Sequence, residues 1–327
     1  MALVRSLLLI VHMGVLVLAG ATVLNAYVAP SSWSFLNLLS LSFPLFVLLH
    51  LLLTFLWMLM LRKRAVVFAL TTLLLLTPIQ RIVNWKSPAT PPPQGLKVLT
   101  YNAKNGAYAD ESTGKNLESY LKKQNADVVF LQETRLDEEK LFQHQHEVIA
   151  IRSKFPLENI QSLITDGSNS YAVSADITVQ GTKIRLINIY LEPFQLKKTM
   201  VRPTRDVDTN KLKAKRLIKR MLPVFRSHQS QVTLIQDAVE SSPYPVILGG
   251  DFNAVPNSYE YYQLSKMLED PFLEVGRGSA TSFHDYKFPI RIDYLFGSPS
   301  LETTSYHVDR AIAISDHFPV IAYFTIP

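Results

Sequence analysis

From Ser6 to Leu61 the chain carries no Asp, Glu, Lys or Arg. A water-exposed fold of that length would carry many charges on its surface, so this stretch is read as membrane-embedded. The remainder has ordinary globular composition, and the 327 residues divide into a membrane anchor over 1–84, a proline-rich linker over 85–96 and a soluble domain over 97–327.

Three apolar runs are visible: Leu7 to Ala29, Phe35 to Leu61 with Pro44 inside it, and Ala65 to Gln80. A spanning helix needs about 20 residues, with a range of roughly 17 to 25. The first two runs are long enough. The third spans if it continues past Arg81, whose long side chain could snorkel, to Val83. Arg5 and Arg62-Lys63-Arg64 flank the first helical pair, whose connecting loop near Pro30 is uncharged. The positive-inside rule puts these basic ends in the cytoplasm. Three spans are expected, which deliver the soluble domain to the extracytoplasmic, periplasmic side of the cytoplasmic membrane. If the third run lies in the interface instead, the domain is cytoplasmic. A cleavable signal peptide is the alternative for the first run, given Arg5 and Ala19-Gly20-Ala21. It leaves the side of the domain unchanged, because the other two spans would form a hairpin. The run Ser87 to Gly95, rich in proline, favours an extended polyproline path of about 3.1 Å per residue and reads as a short tether.

The absence of cysteine excludes disulfides, thiolate metal sites and a cysteine nucleophile. The net charge of +6 is local: Lys197 to Arg226 holds eleven basic residues against two aspartates, so the rest of the chain is slightly acidic. That stretch could bind a polyanion, either nucleic acid or anionic lipid head groups, or form the solvated face of an amphipathic helix. It lacks interleaved aromatics, so a base-stacking platform is not suggested.

In the soluble part, Lys97 to Tyr101 alternates and reads as a strand, followed by a helix at Leu117, Tyr120 and Leu121 and a buried strand over Val128 to Leu131. Tyr171 to Val179 and Lys183 to Leu191 flank the turn Gln180-Gly181-Thr182, a hairpin signal. An apolar stripe at Ile218, Met221, Leu222 and Phe225 predicts one helix, capped by Asp208 or Thr209. Val232, Ile235 and Val239 predict a second. Strands follow at Val246 to Leu248, Ile292 to Phe296 and Phe318 to Phe324. Hairpins mixed with helices argue against a purely parallel, doubly wound sheet.

Polar residues recur where these strands end: Asn102, Gln132-Glu133-Thr134, Asn188 with Tyr190, Gly249-Gly250-Asp251-Phe252-Asn253, Arg291-Ile292-Asp293 and Ser315-Asp316-His317. Strand ends of a layered sheet can converge on one cleft. Oxygen donors with one histidine suit a hard cation, and clustered carboxylates need one, or a histidinium, to offset their repulsion.

Leu99-Thr100-Tyr101-Asn102, Leu131-Gln132-Glu133-Thr134, Gly250-Asp251-Phe252-Asn253, Arg291-Ile292-Asp293-Tyr294 and Ser315-Asp316-His317-Phe318-Pro319 together resemble the ordered motifs of the endonuclease/exonuclease/phosphatase superfamily. The resemblance implies an α/β (α+β) four-layer sandwich, two packed and mainly antiparallel β-sheets with helices outside. It also implies a 97–327 catalytic domain hydrolysing a phosphodiester or phosphomonoester with Mg²⁺, or Mn²⁺ or Ca²⁺. On that resemblance Glu133 is the principal metal ligand, with Asn102 and Asp316 beside it. Asp251 deprotonates the attacking water, and Asn253 positions Asp251 and the phosphate. His317 contacts phosphoryl oxygens, held by Asp293, while Asn188 and Arg291 contact substrate. One departure stands out: where deoxyribonuclease-like members carry Asn-x-His, this chain has Asn188-Ile189-Tyr190. Tyr190 would take over leaving-group or phosphate contact, although its ordinary pKa of about 10 makes it a weak acid. The expected partners are a phosphoester substrate, nucleic acid or phospholipid, and the bilayer, with the chain a monomer. The alternative is a weak or inactive anchored binding protein that keeps the fold.

Overall fold

A computed structural model describes residues 2–86, 94–106, 116–134, 143–285, 290–312 and 314–327. The N-terminal part is a bundle of antiparallel helices: α1 (Ala2–Ala21), α2 (Phe35–Leu59), and a third run divided at Leu75 into α3 (Arg64–Leu74) and α4 (Leu76–Gln80). Two helical stretches, Leu3–Ala26 and Phe35–Leu59, are long and apolar enough to cross a membrane. The third run returns along α2, with Ala65 and Phe68 against Trp57 and with Leu75 against Phe43. Polar groups join the helices inside: His12 Nε2 lies 2.8 Å from His50 Nδ1, Trp57 Nε1 donates to His12 Nδ1 at 3.1 Å, and His50 Nε2 meets Thr72 Oγ1 at 3.0 Å. Such contacts hold helices together where hydrophobic drive is absent.

The soluble part is two packed sheets with helices outside. The strands that build the site are β2 (Leu96–Asn102), β3 (Val128–Gln132), β8 (Thr182–Tyr190), β9 (Val246–Asp251), β11 (Asp293–Gly297) and β13 (Val320–Phe324). With β4 (Gln143–His146), β5 (Ile149–Ser153), β6 (Glu158–Ser162), β7 (Tyr171–Val179) and β12 (Thr303–Val308) they form one sheet of six strands in the order β12-β13-β2-β3-β5-β4 and another of five in the order β11-β9-β8-β7-β6. Only the pairs β2–β3 and β8–β9 are parallel; the rest are antiparallel. Side chains alternate across each strand. Val98, Phe130, Leu186, Ile247 and Leu295 therefore meet between the sheets. Leu99, Tyr101 and Leu131 face α5 (Leu117–Gln124), and Ile187, Leu248 and Phe296 face α6 (Val207–Glu240). β7 (Tyr171–Val179) joins β8 through the two-residue turn Gln180-Gly181, both at positive φ, the hairpin geometry that follows strand twist.

Where the sequence predicts two helices near Phe225 and Val232, α6 is one helix of 34 residues containing Pro223. The polar break between the two stripes is only apparent. His228 and Gln231 are buried and continue the apolar face, each with a polar partner: His228 Nδ1 meets Glu260 Oε1 at 2.7 Å, and Gln231 Oε1 accepts from Glu192 N at 3.2 Å. Its cap is Asp206, accepting from Thr209 N at 2.7 Å, and not Asp208 or Thr209.

The N-terminal bundle is docked on the C-terminal domain and not held away from it. Asn25 Nδ2 and Ser40 Oγ both donate to Asn257 O, at 3.0 and 2.8 Å. Asn37 Nδ2 donates to both Glu260 oxygens at 2.9 and 2.8 Å, and its Oδ1 accepts from Tyr259 N at 2.6 Å. Arg81, expected to snorkel, donates from Nη1 to Asn257 Oδ1 at 2.9 Å and lies over Tyr262, 4.3 Å from the ring centre. β1 (Val83–Asn84) pairs with β10 (Gly278–Ser279), so the chain is fixed to the domain before the linker begins. Residues 87–93, most of the expected tether, lie outside the described residues.

Candidate active site

The inward column of each central strand turns polar at the same end of the sandwich. Asn102 and Gln132 end β2 and β3, Asn188 and Tyr190 end β8, Asp251 ends β9, and Asp293 opens β11. This polar layer is buried, and most of its groups bond to one another; Asp293 Oδ1 has no hydrogen-bond partner among the described residues. Gly249 and Gly250, which alone suggest a turn, lie within β9. A Cβ on Gly249 would sit 2.6 Å from Leu295 Cδ2 and 2.8 Å from Phe130 Cδ2, so the glycine sets the distance between sheets. Gly250 has φ +148°, and a Cβ there would overlap the Ile189 carbonyl.

Asn102 is the hub. Its Nδ2 donates to Glu133 Oε1 at 2.9 Å and to Asp251 Oδ2 at 3.0 Å. Tyr190 OH donates to the same Glu133 oxygen at 3.0 Å. Glu133 itself has φ +49°, a conformation costly for a side chain with Cβ, and its carbonyl accepts from Asn105 N at 2.6 Å. Asp251 Oδ1 accepts from Asn253 N at 2.8 Å, and Asn253 Nδ2 donates to Leu191 O at 2.9 Å. Asp316 pairs with Lys104 Nζ. Ser315 Oγ donates to Asn102 O at 2.7 Å, which ties the last loop to β2.

His317 Nδ1 meets Asp293 Oδ2 at 2.8 Å, and its Nε2 lies 3.9 Å from Asp251 Oδ2. Burial alone would lower the imidazole pKa, but Asp293, with Asp251 and Asp316 behind it, lifts it to about 9. Burial and then Asp293 push the Asp251 carboxyl up to about 7, against the opposing pull of His317. Burial, with Glu133 and Asp251 adding to it, raises the Tyr190 hydroxyl far above its ordinary value.

Two expected substrate contacts are not offered. Arg291 is 4 % exposed, and its guanidinium makes a bidentate pair with Asp270 at 2.7 Å on each arm. Asn188 donates to Leu131 O at 3.1 Å and Ala150 O at 2.8 Å and accepts from Gln132 Nε2 at 2.7 Å, bridging the sheets beneath the site. Arg291 and Asn188 therefore support the site from behind. Lys104 and Ser282, whose Oγ accepts from Asp293 N at 3.0 Å, belong to it and were not foreseen. Their partners lie far away in sequence, which no local pattern encodes.

Asp251, Asp293 and His317 offer ligand atoms within 4.8 Å of one another. His317 spends Nδ1 on Asp293 and is biased toward the protonated form, which has no lone pair for a metal. The carboxylates of Glu133 and Asp316 and the amide oxygen of Asn102 are the donor types a hard cation takes; Glu133 shares its one Asn102 amide donor with Asp251, while Asp316 pairs with Lys104.

A family model described as Endonuclease/Exonuclease/phosphatase family matches residues 99–317, and another described as Domain of unknown function (DUF8431) matches residues 5–82. Among solved structures, the chain is similar to D. rerio TDP2 humanized by 14 mutations, at 17 % identity over 71 % of this chain and 99 % of that one, with a TM-score of 0.51. It is also similar to an endonuclease/exonuclease/phosphatase family protein from Leptotrichia buccalis C-1013-b, at 18 % identity over 71 % and 100 % of the chains and TM-score 0.48. An AP endonuclease from Archaeoglobus fulgidus gives 17 %, 71 %, 100 % and 0.47. No curated protein matches.

Proposed function

The chain belongs to the endonuclease/exonuclease/phosphatase family, and from that premise we propose that it hydrolyses a phosphoester with water at the outer face of the cytoplasmic membrane. One observation carries the reading: Glu133, Asn102, Asp251, His317 and Asp293 form a continuous row, buried beyond the half-buried Glu133, from a carboxylate edge to an imidazole.

Asp251, with its proton affinity raised toward neutrality, takes the proton of the attacking water. The water oxygen bonds to phosphorus as the ester P–O bond breaks, and the leaving oxygen takes up a proton. His317, kept cationic by Asp293, donates from Nε2 to the phosphoryl oxygens and stabilises their developing charge. Glu133 would hold the hard cation with Asn102 and Asp316, and Mg²⁺ there would supply Lewis-acid neutralisation of the phosphate. Tyr190 orients Glu133 and is a poor proton donor to the leaving group. Asn253 fixes Asp251 through its backbone N–H.

The extracytoplasmic reading is supported by the bundle. Asn25, Asn37 and Ser40 dock on the domain, and Arg62-Lys63-Arg64 lie at the opposite end of α2. Assays of the full chain in nanodiscs, with Mg²⁺ and a panel of phosphodiesters and phosphomonoesters, test the proposal. Turnover abolished by Asp251→Asn is expected. No turnover of any panel member with any divalent cation would overturn it in favour of a binding protein.

A further inference from the structure

Membrane helix α2 forms one wall of a cavity of about 290 Å³ against the catalytic domain. Leu41 and Pro44 line it from α2, Ile82 and Val83 from the strand that follows the bundle, and Val255 and Ile290 from the catalytic side. Val255 lies two residues after Asn253. It forms one apolar cluster with Phe283 and Ile292, against which Leu41 and Ile290 pack. The Phe283 ring stands edge-on to His317 with centroids 5.0 Å apart. An apolar path thus runs from a bilayer helix to the imidazole of the reactive centre. Past Pro44 one side of α2 turns apolar side chains outward, with Leu45 50 % and Leu48 54 % exposed. The cavity therefore sits where α2 leaves the domain and enters its lipid-facing length.

The walls select for hydrocarbon. Among the described residues lining the cavity the one cation is Arg291, and its guanidinium is committed to Asp270. The bonds from Asn25 and Ser40 to Asn257 O hold α2 in register with the catalytic loop, so the cavity is built and not a gap left by loose packing. Its size is at the low end of the roughly 300–1,000 Å³ of small-molecule sites, which suits part of one chain. We propose that the cavity receives a hydrocarbon chain of a membrane lipid phosphoester, whose phosphate is thereby presented to His317 and Asp251. This rests on the hydrolase reading for its chemistry, but chain capture can be measured separately.

The test uses the full chain in vesicles of phosphatidylethanolamine and phosphatidylglycerol, doped with phosphatidylglycerol bearing a diazirine in one acyl chain. Photolysis of the wild type and of Asp251→Asn should label residues around Leu41 and Val255, which needs no turnover. Label confined to the outward rows beyond Pro44 would overturn the inference even if the protein hydrolyses soluble phosphoesters. In parallel, kcat/KM is measured along a phosphatidylglycerol series of increasing chain length. A rise of about threefold to fourfold per methylene until the cavity fills is expected. Leu41→Trp, and separately Ile290→Trp, should flatten that rise at least tenfold between the ends of the series. Chain-length indifference in the wild type, or a preference for DNA over every lipid, would sink the proposal while leaving a hydrolase in place. Cavity labelling without turnover of any phosphoester would instead support chain capture and remove the hydrolase reading.

Discussion

His317 and Asp293 meet at 2.8 Å with both side chains enclosed, while the far ring nitrogen stops 3.9 Å from Asp251. The pair presents a fixed N–H toward the centre and keeps its own charge balanced. Because the folded imidazole titrates near 9 against an ordinary 6.5, its contribution to stability is complete below 6.5 and lost as pH rises through about 9. Asp293→Asn should cut kcat by about 10²-fold or more. Thermal melts should show a gap between wild type and variant that narrows above the folded value; a gap independent of pH would refute the pairing.

Asp251 has the same sign. Its folded carboxyl holds a proton up to about 7 against an ordinary 3.8. Chelator-treated protein should therefore lose stability as pH rises through that window, by at most about 1.4 kcal/mol per pH unit. Mg²⁺ favours the carboxylate and should flatten this slope. Asp251→Asn should abolish the slope and lower activity about 10²- to 10⁴-fold. Melting curves with and without Mg²⁺ decide it, since a variant as steep as the wild type would assign the proton elsewhere.

Glu133 and Tyr190 share one hydrogen bond, so their variants should differ in degree. Glu133→Gln should remove Mn²⁺ binding seen by calorimetry. Tyr190→Phe should weaken it by roughly threefold to tenfold, the usual net value of a hydrogen bond. Tyr190→His should keep or raise turnover. Unchanged metal affinity in Glu133→Gln would move the cation site.

The Asn37–Glu260 contact joins the N-terminal bundle to the C-terminal domain. Burial would raise the Glu260 carboxyl, but hydrogen bonds from His228 and Asn37 hold it below its ordinary 4.5, so this stabilisation is present above 4.5 and fades at lower pH. Asn37→Ala leaves a fully buried carboxylate short of two donors, at a cost of about 1–3 kcal/mol. Limited proteolysis of the reconstituted protein should become faster in the variant. An unaltered digestion rate would show that the contact is dispensable.

The chain lacks cysteine, so single reporters are clean. Pro327→Cys should react with an impermeant maleimide added to spheroplasts, and Lys63→Cys should not. The reverse pattern would turn the protein over in the membrane.

Much of the site was legible because its residues end strands whose apolar runs are unmistakable. Asn102, Glu133, Asp251, Asp293 and His317 each follow or open a short Val/Leu/Ile/Phe segment. The two sheets were less visible: β4 (Gln143–His146) and β6 (Glu158–Ser162) are polar edge strands with no alternating pattern to announce them. Arg291 misled because an arginine beside a catalytic aspartate looks like a substrate ligand, whereas its partner Asp270 lies 21 residues upstream. The docking of the anchor was hidden for a related reason. Asn25, Asn37 and Ser40 look like minor polar interruptions of apolar runs until Asn257 and Glu260 come to meet them.

Asp251 ends β9 and Asn257 lies in the short loop that follows it, the first at the candidate site and the second held by Asn25, Ser40, Pro78 and Arg81. Cutting the chain at the proline-rich run would strip every one of those supports, uncover the Glu260 carboxylate and release the segment that aims the base. A fragment prepared that way should turn over more slowly than the full chain, because the N-terminal bundle is the foundation on which the loop after Asp251 rests.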